Sequence, residues 1–231
     1  MIPNAFYSNV LNIINKYKLS LEELSESSVN MVYKRVICDM NHTMCNFKSF
    51  RIVSKVLPSY LNSFNYRLHF NFLPLKSLFR DWQLDNDSCC YFCNVGPETT
   101  YHLFGTCEKL KGLWMILKEA HFYLCAERFD YEHKRRNFKI DLTNVPCNKT
   151  YEKTLIYLNS IANYSIWRHR NEMRYEFKNF NLEVLARKMI RSIRARKSAE
   201  SHMSDSHKVP FLSQLCDGLV VAVNHYPFDN G

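Results

Sequence analysis

Apolar residues recur at helical spacing along most of this chain, and the pattern predicts a series of helices. The spacing is i, i+3, i+4 and i+7, which places the apolar side chains on one face of a helix. Pro58 and Pro74 interrupt an aromatic and basic stretch, so short helices are expected around these breaks. The longer apolar stripes occupy five ranges: 6–17, 29–37, 108–125, 151–177 and 181–199.

Each of the last three predicted helices has an apolar stripe that is expected to face a core. The inward residues of these stripes are Leu110, Leu113, Trp114 and Leu117; Leu155, Leu158, Ala162 and Ile166; and Leu182, Leu185, Met189 and Ile193. Only five glycines and seven prolines occur in 231 residues, and helix-forming residues are common between them. The predicted fold class is therefore mostly α, in one or more small helical domains with little or no sheet.

The same pattern divides the chain into five predicted segments. A polar, broken stretch is expected to be a loop, and the C-terminal residues read as a linker and tail around one short apolar run, LVVAV, which the pattern assigns to neither helix nor strand. The segments are an N-terminal helical region over 1–57, a cysteine-rich segment over 58–126, the loop over 127–150, a basic helical hairpin over 151–200, and the linker and tail over 201–231.

No part of the sequence reads as a membrane span or a secretory signal. No apolar run reaches the roughly 18 residues that a span needs, and the N-terminus lacks a charged region followed by an apolar one. We therefore expect an intracellular location without membrane contact. The short basic run at 133–136 is a candidate nuclear-import signal, so the nucleus is one of the expected compartments. In a reducing compartment, the nine cysteines favour metal binding over disulfides.

Four of these cysteines and one histidine lie in CCYFCNVGPETTYHLFGTC, residues 89–107. Zinc prefers four thiolate or imidazole ligands in a tetrahedron, and a Cys-x2-Cys turn places two of them on one side of the ion. Cys90 and Cys93 supply such a pair, and His102 and Cys107 supply a second. Four protein ligands leave no position for water or substrate, so the sequence predicts one structural Zn²⁺.

Three details of this segment stay open at the level of sequence. Cys89 also has workable spacing to Cys93, although the x2 spacing of Cys90 suits a tight turn better. Either Glu98 or Thr99 is placed to begin a short helix that carries His102. Gly105 is expected to let the chain bend so that Cys107 closes the site.

The positive charge is concentrated in the second half of the chain. The net charge is +9, and residues 168–197 carry ten Lys or Arg against three Glu, which is +7. A basic block in an otherwise nearly neutral protein suggests an anionic partner, and nucleic acid is the first candidate. The arginines expected to contact it are Arg168, Arg170, Arg187, Arg191 and Arg194.

Arg187, Arg191 and Arg194 recur at helical spacing opposite Met189, and we call these three residues the basic ridge. A ridge of this kind can follow a phosphate backbone, and aromatic residues near it can stack on bases. The competing interpretation is that the ridge is only a solvated helix face. Trp167 is expected in the core rather than on a stacking surface.

The order of motifs resembles that of a known family. NFLPLKSLFRDW precedes CYFC, then ETTYHLFGTC, and this order is similar to the zinc-binding C-terminal region of reverse transcriptases from LINE-type retrotransposons, which lack long terminal repeats. IWRHRN, residues 166–171, is similar to a signature that often follows it. The matching residues are Leu73, Pro74, Cys90, Cys93, Glu98, Thr99, His102, Leu103, Phe104, Cys107 and Trp114.

The resemblance implies contact with RNA or single-stranded DNA and makes a reverse transcriptase a candidate partner. The chain has no Asp-Asp dipeptide, no Gly-rich phosphate loop and no nucleophile motif, so we expect it not to be an enzyme on its own. It is expected to be a fragment, a degenerate copy or a domesticated gene. The alternative function is a zinc-stabilised structural or protein-interaction module that binds no nucleic acid.

Overall fold

The computed structural model describes residues 54–81, 87–124, 135–136, 139–140 and 149–228. All of them belong to one compact unit, Lys48–Gly231. The helices predicted over 6–17 and 29–37 lie outside the described residues, as does most of the loop predicted over 127–150. The fold is mostly helical, as the sequence predicts.

Two short helices form around the proline breaks. Helix α1 spans Ser59–His69 and begins directly after Pro58, whose carbonyl accepts hydrogen bonds from the amides of Leu61 and Asn62. It buries Leu61, Phe64 and Leu68 on one face. Helix α2 spans Lys76–Asp81 and follows Pro74. The cysteine-rich segment comes next, and a short 3₁₀ turn, Glu108–Leu110, leads into helix α3, Lys111–Phe122.

The predicted hairpin consists of two long helices. Helix α4 spans Lys149–Glu176, and helix α5 spans Leu182–Ala199. The side chain of Asn181 caps α5 by accepting a hydrogen bond of 2.9 Å from the Val184 amide, a type of cap worth about 1 kcal/mol. The predicted inward residues of α3, α4 and α5 are buried, except that Leu182 is half-buried.

The C-terminal segment differs from the predicted linker and tail. Two 3₁₀ turns, Glu200–His202 and Asp205–His207, are followed by helix α6, Leu212–His225. This helix packs against α3 and α5 and contains the run LVVAV. It buries Leu215, Leu219 and Val223, and the sequence of this segment did not reveal the α3 surface that covers them.

The cysteine-rich segment and the hairpin share one hydrophobic core. Cys90, Phe92 and Phe104 belong to the same buried cluster as Leu155, Ile166 and the other inward residues of α4. The predicted division between 58–126 and 151–200 is therefore not a division between separate cores. Within the described residues, β structure is limited to the antiparallel pair β1, Arg135–Arg136, and β2, Lys139–Ile140, with one isolated bridge between Cys89 and Pro97.

Within the described ranges, no helix combines the length and the apolar character that crossing a membrane requires.

Candidate metal centre and basic surface

A tight turn positions the first two cysteines of the cluster. The Cys90 amide donates a hydrogen bond of 2.8 Å to the Gly96 carbonyl, and the Asn94 amide donates one of 2.9 Å to the Cys90 carbonyl. Asn94 adopts a left-handed conformation with φ of 56°, which asparagine tolerates better than most residues. The turn therefore brings Cys90 and Cys93 to the same side of the chain.

The other two candidate ligands lie at the start of a π turn and directly after it. The Thr99 hydroxyl accepts a hydrogen bond of 3.0 Å from the His102 amide, so Thr99, rather than Glu98, is the cap. The π turn spans His102–Thr106, and the Cys107 amide donates to the His102 carbonyl at 2.9 Å. Gly105 lies inside this turn and has no positive φ. The bend expected at this glycine is made by the wider turn instead.

These elements bring four ligand atoms together. The three sulfur atoms of Cys90, Cys93 and Cys107 and a ring nitrogen of His102 all lie within 4.8 Å of one another. The Cys90 and Cys107 Sγ atoms are 4.0 Å apart, and Cys93 Sγ lies 3.2 Å from His102 Nε2. A zinc tetrahedron with Zn–S bonds of about 2.3 Å requires sulfur atoms about 3.8 Å apart. The donor set and its spacing therefore fit zinc.

The contact between the Cys90 and Cys107 thiols shifts their pKa values in opposite directions. A hydrogen bond from the Cys107 thiol lowers the pKa of Cys90 to about 5, although burial opposes this shift. The same contact, together with burial, raises the pKa of Cys107. Cysteine binds zinc as the thiolate, so metal binding displaces the proton that these two sulfur atoms share.

The position of Cys89 decides between the two candidate first ligands. Cys89 pairs with Pro97 through an isolated β-bridge and is not one of the four clustered residues. Its amide donates to the Asp87 carboxylate at 2.8 Å, and the hydrogen bond between the Cys89 thiol and Asp87 raises the pKa of that thiol. Cys90, rather than Cys89, is therefore the first residue of the cluster that could hold a metal, as the x2 spacing favours.

Comparison with known families agrees with this geometry. Residues 28–114 match the family described as zinc-binding in reverse transcriptase. The match covers less than half of the chain and contains all four clustered residues. No curated protein and no solved structure matches the chain.

Glu98 connects the long helix α4 to the turn that carries Cys90 and Cys93, which we call the metal turn. The Glu98 carboxylate accepts hydrogen bonds from the Tyr91 amide at 3.3 Å and from the Lys76 amide at 3.0 Å. It also accepts from Arg170 Nε at 3.1 Å and forms a salt bridge with Arg170 Nη2. Tyr91 lies between the first two ligands, and Lys76 begins α2. Glu98 thus joins the turn, α2 and α4.

The same contacts correct the prediction that Arg170 binds nucleic acid. Its side chain and that of Glu98 are both 0% exposed, and its guanidinium lies over the rings of Tyr91 and Trp167 at 5.0 Å and 5.2 Å. A residue in this position cannot reach a phosphate. Arg170 instead neutralises a buried carboxylate, and Trp167 is in the core as expected.

Aromatic contacts hold the metal turn against the hairpin. The Phe92 ring lies 4.8 Å from that of Phe180 and 6.0 Å from that of His169, measured between centroids. His169 Nε2 accepts a hydrogen bond of 3.3 Å from the amide of Asn181, the residue that caps α5. Burial lowers the pKa of His169, so the neutral ring is favoured in this apolar contact.

The other four candidate arginines lie at the surface. Arg187 donates to Glu183 at 2.7 Å within α5. Arg168, Arg191 and Arg194 are exposed and have no acidic partner in the described ranges. Met189 is fully buried on the opposite face of α5. The basic ridge is therefore exposed, as its helical spacing predicts.

Sequence reasoning did not find the partner of Arg170 or the setting of Tyr60. The sequence presents Glu98 as a possible helix start and as part of the motif order, although a glutamate in a cysteine-rich motif and an arginine in a helical signature are a candidate ion pair. Tyr60 has no distinguishing sequence context. Its ring lies 5.1 Å from that of Tyr164, a contact between helices that are about a hundred residues apart in the chain.

Proposed function

We propose that this chain is a non-catalytic, zinc-binding module of LINE-type reverse-transcriptase origin that binds RNA or single-stranded DNA through the basic face of α5. The observation that carries the proposal is the charge of α5, which has six basic residues and one acidic residue, with Arg191 and Arg194 exposed and free of acidic partners in the described residues. Free arginines on an exposed helix bind phosphates by displacing counterions.

The metal has a structural role in this proposal. Three thiolates and one imidazole complete a tetrahedron, so a bound zinc has no open position for substrate. When bound, it holds the turn that carries Cys90 and Cys93 against the helix that carries His102. The residues of this chain then position α4 and α5 through Glu98, Arg170 and Phe92.

Changing Arg187, Arg191 and Arg194 to Gln together tests the ridge. Helix propensity is nearly unchanged by these substitutions, whereas three positive charges are lost. If each arginine releases counterions from a single strand, the slope of log K against log salt should fall by about two units, given about 0.7 per phosphate. Affinity should fall alike for every sequence, because phosphate contacts carry no base information. Titration of RNA across a salt series measures both.

A matched control removes the same charge from another surface. Lys109, Lys111 and Lys118 are exposed at or near α3, and their joint change to Gln should leave the salt slope close to that of the unchanged chain. If the variant with Arg187, Arg191 and Arg194 changed to Gln, here called the ridge variant, folds and keeps its salt slope, the ridge is a solvated face.

The structural or protein-interaction role then becomes the better proposal. The exposed side chains of Val95 and Phe177 are the most suitable contacts for a protein partner.

The purified chain should neither extend a primer nor nick DNA. Those reactions use metal ions held by paired acidic residues, and the motifs for them are missing from this sequence. Incorporation of nucleotides above a heat-killed control measures the first activity. Incorporation that disappears when an acidic residue of this chain is changed would contradict the proposal.

A further inference from the structure

An exposed tyrosine is held in a fixed position at the junction of α1 and α4. The Tyr60 ring is 47% exposed and lies 5.1 Å from the half-buried ring of Tyr164, at an angle of 54°. Tyr164 in turn lies 5.3 Å from Phe64, which is fully buried. The exposed Tyr60 ring thereby contacts a ring that is itself packed against the core, so it has less freedom to lose when a ligand stacks on it.

Two arginines flank this tyrosine. Arg168 follows Tyr164 by one helical turn, on the same side of α4, and it is exposed without an acidic partner in the described residues. Arg196 comes from α5 and is fixed by hydrogen bonds to the carbonyls of Val56 and His207. Burial and Tyr164 raise the pKa of Tyr60, and the positive charges of Arg196 and Arg168 oppose that shift.

We propose that Tyr60, Tyr164 and Arg168 form a binding site for one nucleotide of a single strand, whose base stacks on Tyr60 and whose phosphate pairs with Arg168. This site rests on the proposed nucleic-acid function and is separate from the basic ridge, which lies on α5. The chemistry selects single strands because a duplex keeps its base faces stacked on each other, whereas an unpaired base can stack on an aromatic ring. Arg168 supplies a planar donor that matches phosphate.

The test uses the full zinc-loaded chain and an oligouridylate of roughly 12 nucleotides, a length within the range of single-strand sites. Tyr60→Ala should weaken binding about fivefold or more, and Tyr60→Phe should not weaken it because the ring is kept. The salt slope of Tyr60→Ala should be unchanged, whereas Arg168→Gln should lower the slope by about 0.7. Binding to a duplex of the same length should not respond to Tyr60→Ala.

Tyr123→Ala is the matched control, because Tyr123 is 48% exposed and lies at the end of α3. This variant should bind the single strand as the unchanged chain does. Tyr60→Leu provides a second test of the ring if Tyr60→Ala fails to fold, since leucine keeps apolar bulk without a π face. Circular dichroism and zinc content identify folded variants.

A photo-crosslink gives a readout that does not depend on affinity. An oligouridylate with 5-iodouracil should crosslink to the peptide that contains Tyr60, as identified by mass spectrometry. Crosslinks confined to other peptides, or unchanged single-strand affinity in folded Tyr60→Leu, would overturn the site. If the ridge variant loses affinity while the Tyr60 variants do not, only this inference fails. If the unchanged chain binds no nucleic acid, both it and the proposed function fail.

Discussion

Removing the metal with a chelator is expected to unfold at least the segment that contains Cys90, Cys93, His102 and Cys107. A structural zinc contributes on the order of 10–16 kcal/mol of apparent binding energy, whereas a whole domain is typically stable by about 5–15 kcal/mol. Cys90, Phe104 and Cys107 belong to the shared core, so the loss should extend to α4 and α5. Circular dichroism and thermal unfolding before and after chelation measure this effect.

Substitutions of the ligands test which residues hold the metal. Elemental analysis of the purified chain should find about one zinc, and Cys93→Ser or His102→Ala should lose it because no other described ligand lies in the cluster. Cys89→Ser is the matched control and should keep the zinc, since Cys89 lies outside that group. A metal-free chain that remains folded, or a Cys89→Ser variant without zinc, would contradict the assignment.

Changing Arg170 to Gln is expected to destabilise the unit by about 3–5 kcal/mol. The substitution leaves the Glu98 carboxylate buried without its charged partner, and breaking a buried pair from one side has a cost of this size. For a unit of this length, the midpoint of thermal unfolding should fall by about 6–20 °C. Glu98→Gln should also destabilise the unit, because it leaves the Arg170 guanidinium buried and unpaired.

Arg168→Gln is the control for this prediction. Arg168 lies two residues earlier on the same helix and is exposed, so its loss should change the stability by no more than about 0.5 kcal/mol. The double change of Glu98 and Arg170 to Gln should be less destabilising than the sum of the single changes, because neither variant side chain is charged. Equal stability of Arg170→Gln and Arg168→Gln would show that the buried pair contributes nothing.

The contrast between Arg168 and Arg170 shows where sequence reasoning reaches its limit. Both arginines belong to the same basic block, and charge spacing alone assigns them the same role. In the structure, one faces solvent and the other is fully buried against Glu98. Two residues along a helix correspond to a rotation of about 200°, so only knowledge of what packs on each side separates them.

Helix α6 illustrates the same limit at the level of the fold. Its sequence contains a short apolar run without strong caps, and Phe211 precedes it in a left-handed conformation. Local signals of this kind are weak, because most of the stability of a helix in a protein comes from tertiary packing. This segment packs as a helix against α3, which is distant in sequence, and against the neighbouring helix α5.

The sequence by itself determined the helical class of the described residues, the inward faces of α3, α4 and α5, and the four clustered ligand residues. These features follow from local periodicity and from ligand spacing, which act over a few residues. Only the tertiary structure decided the choice of Cys90 over Cys89, the pairing of Glu98 with Arg170 and the setting of Tyr60 beside Tyr164 and Arg168. The first depends on how residues 87–107 fold back on themselves. The other two depend on contacts between segments far apart in the chain, and the geometry of such contacts is fixed only when the core packs.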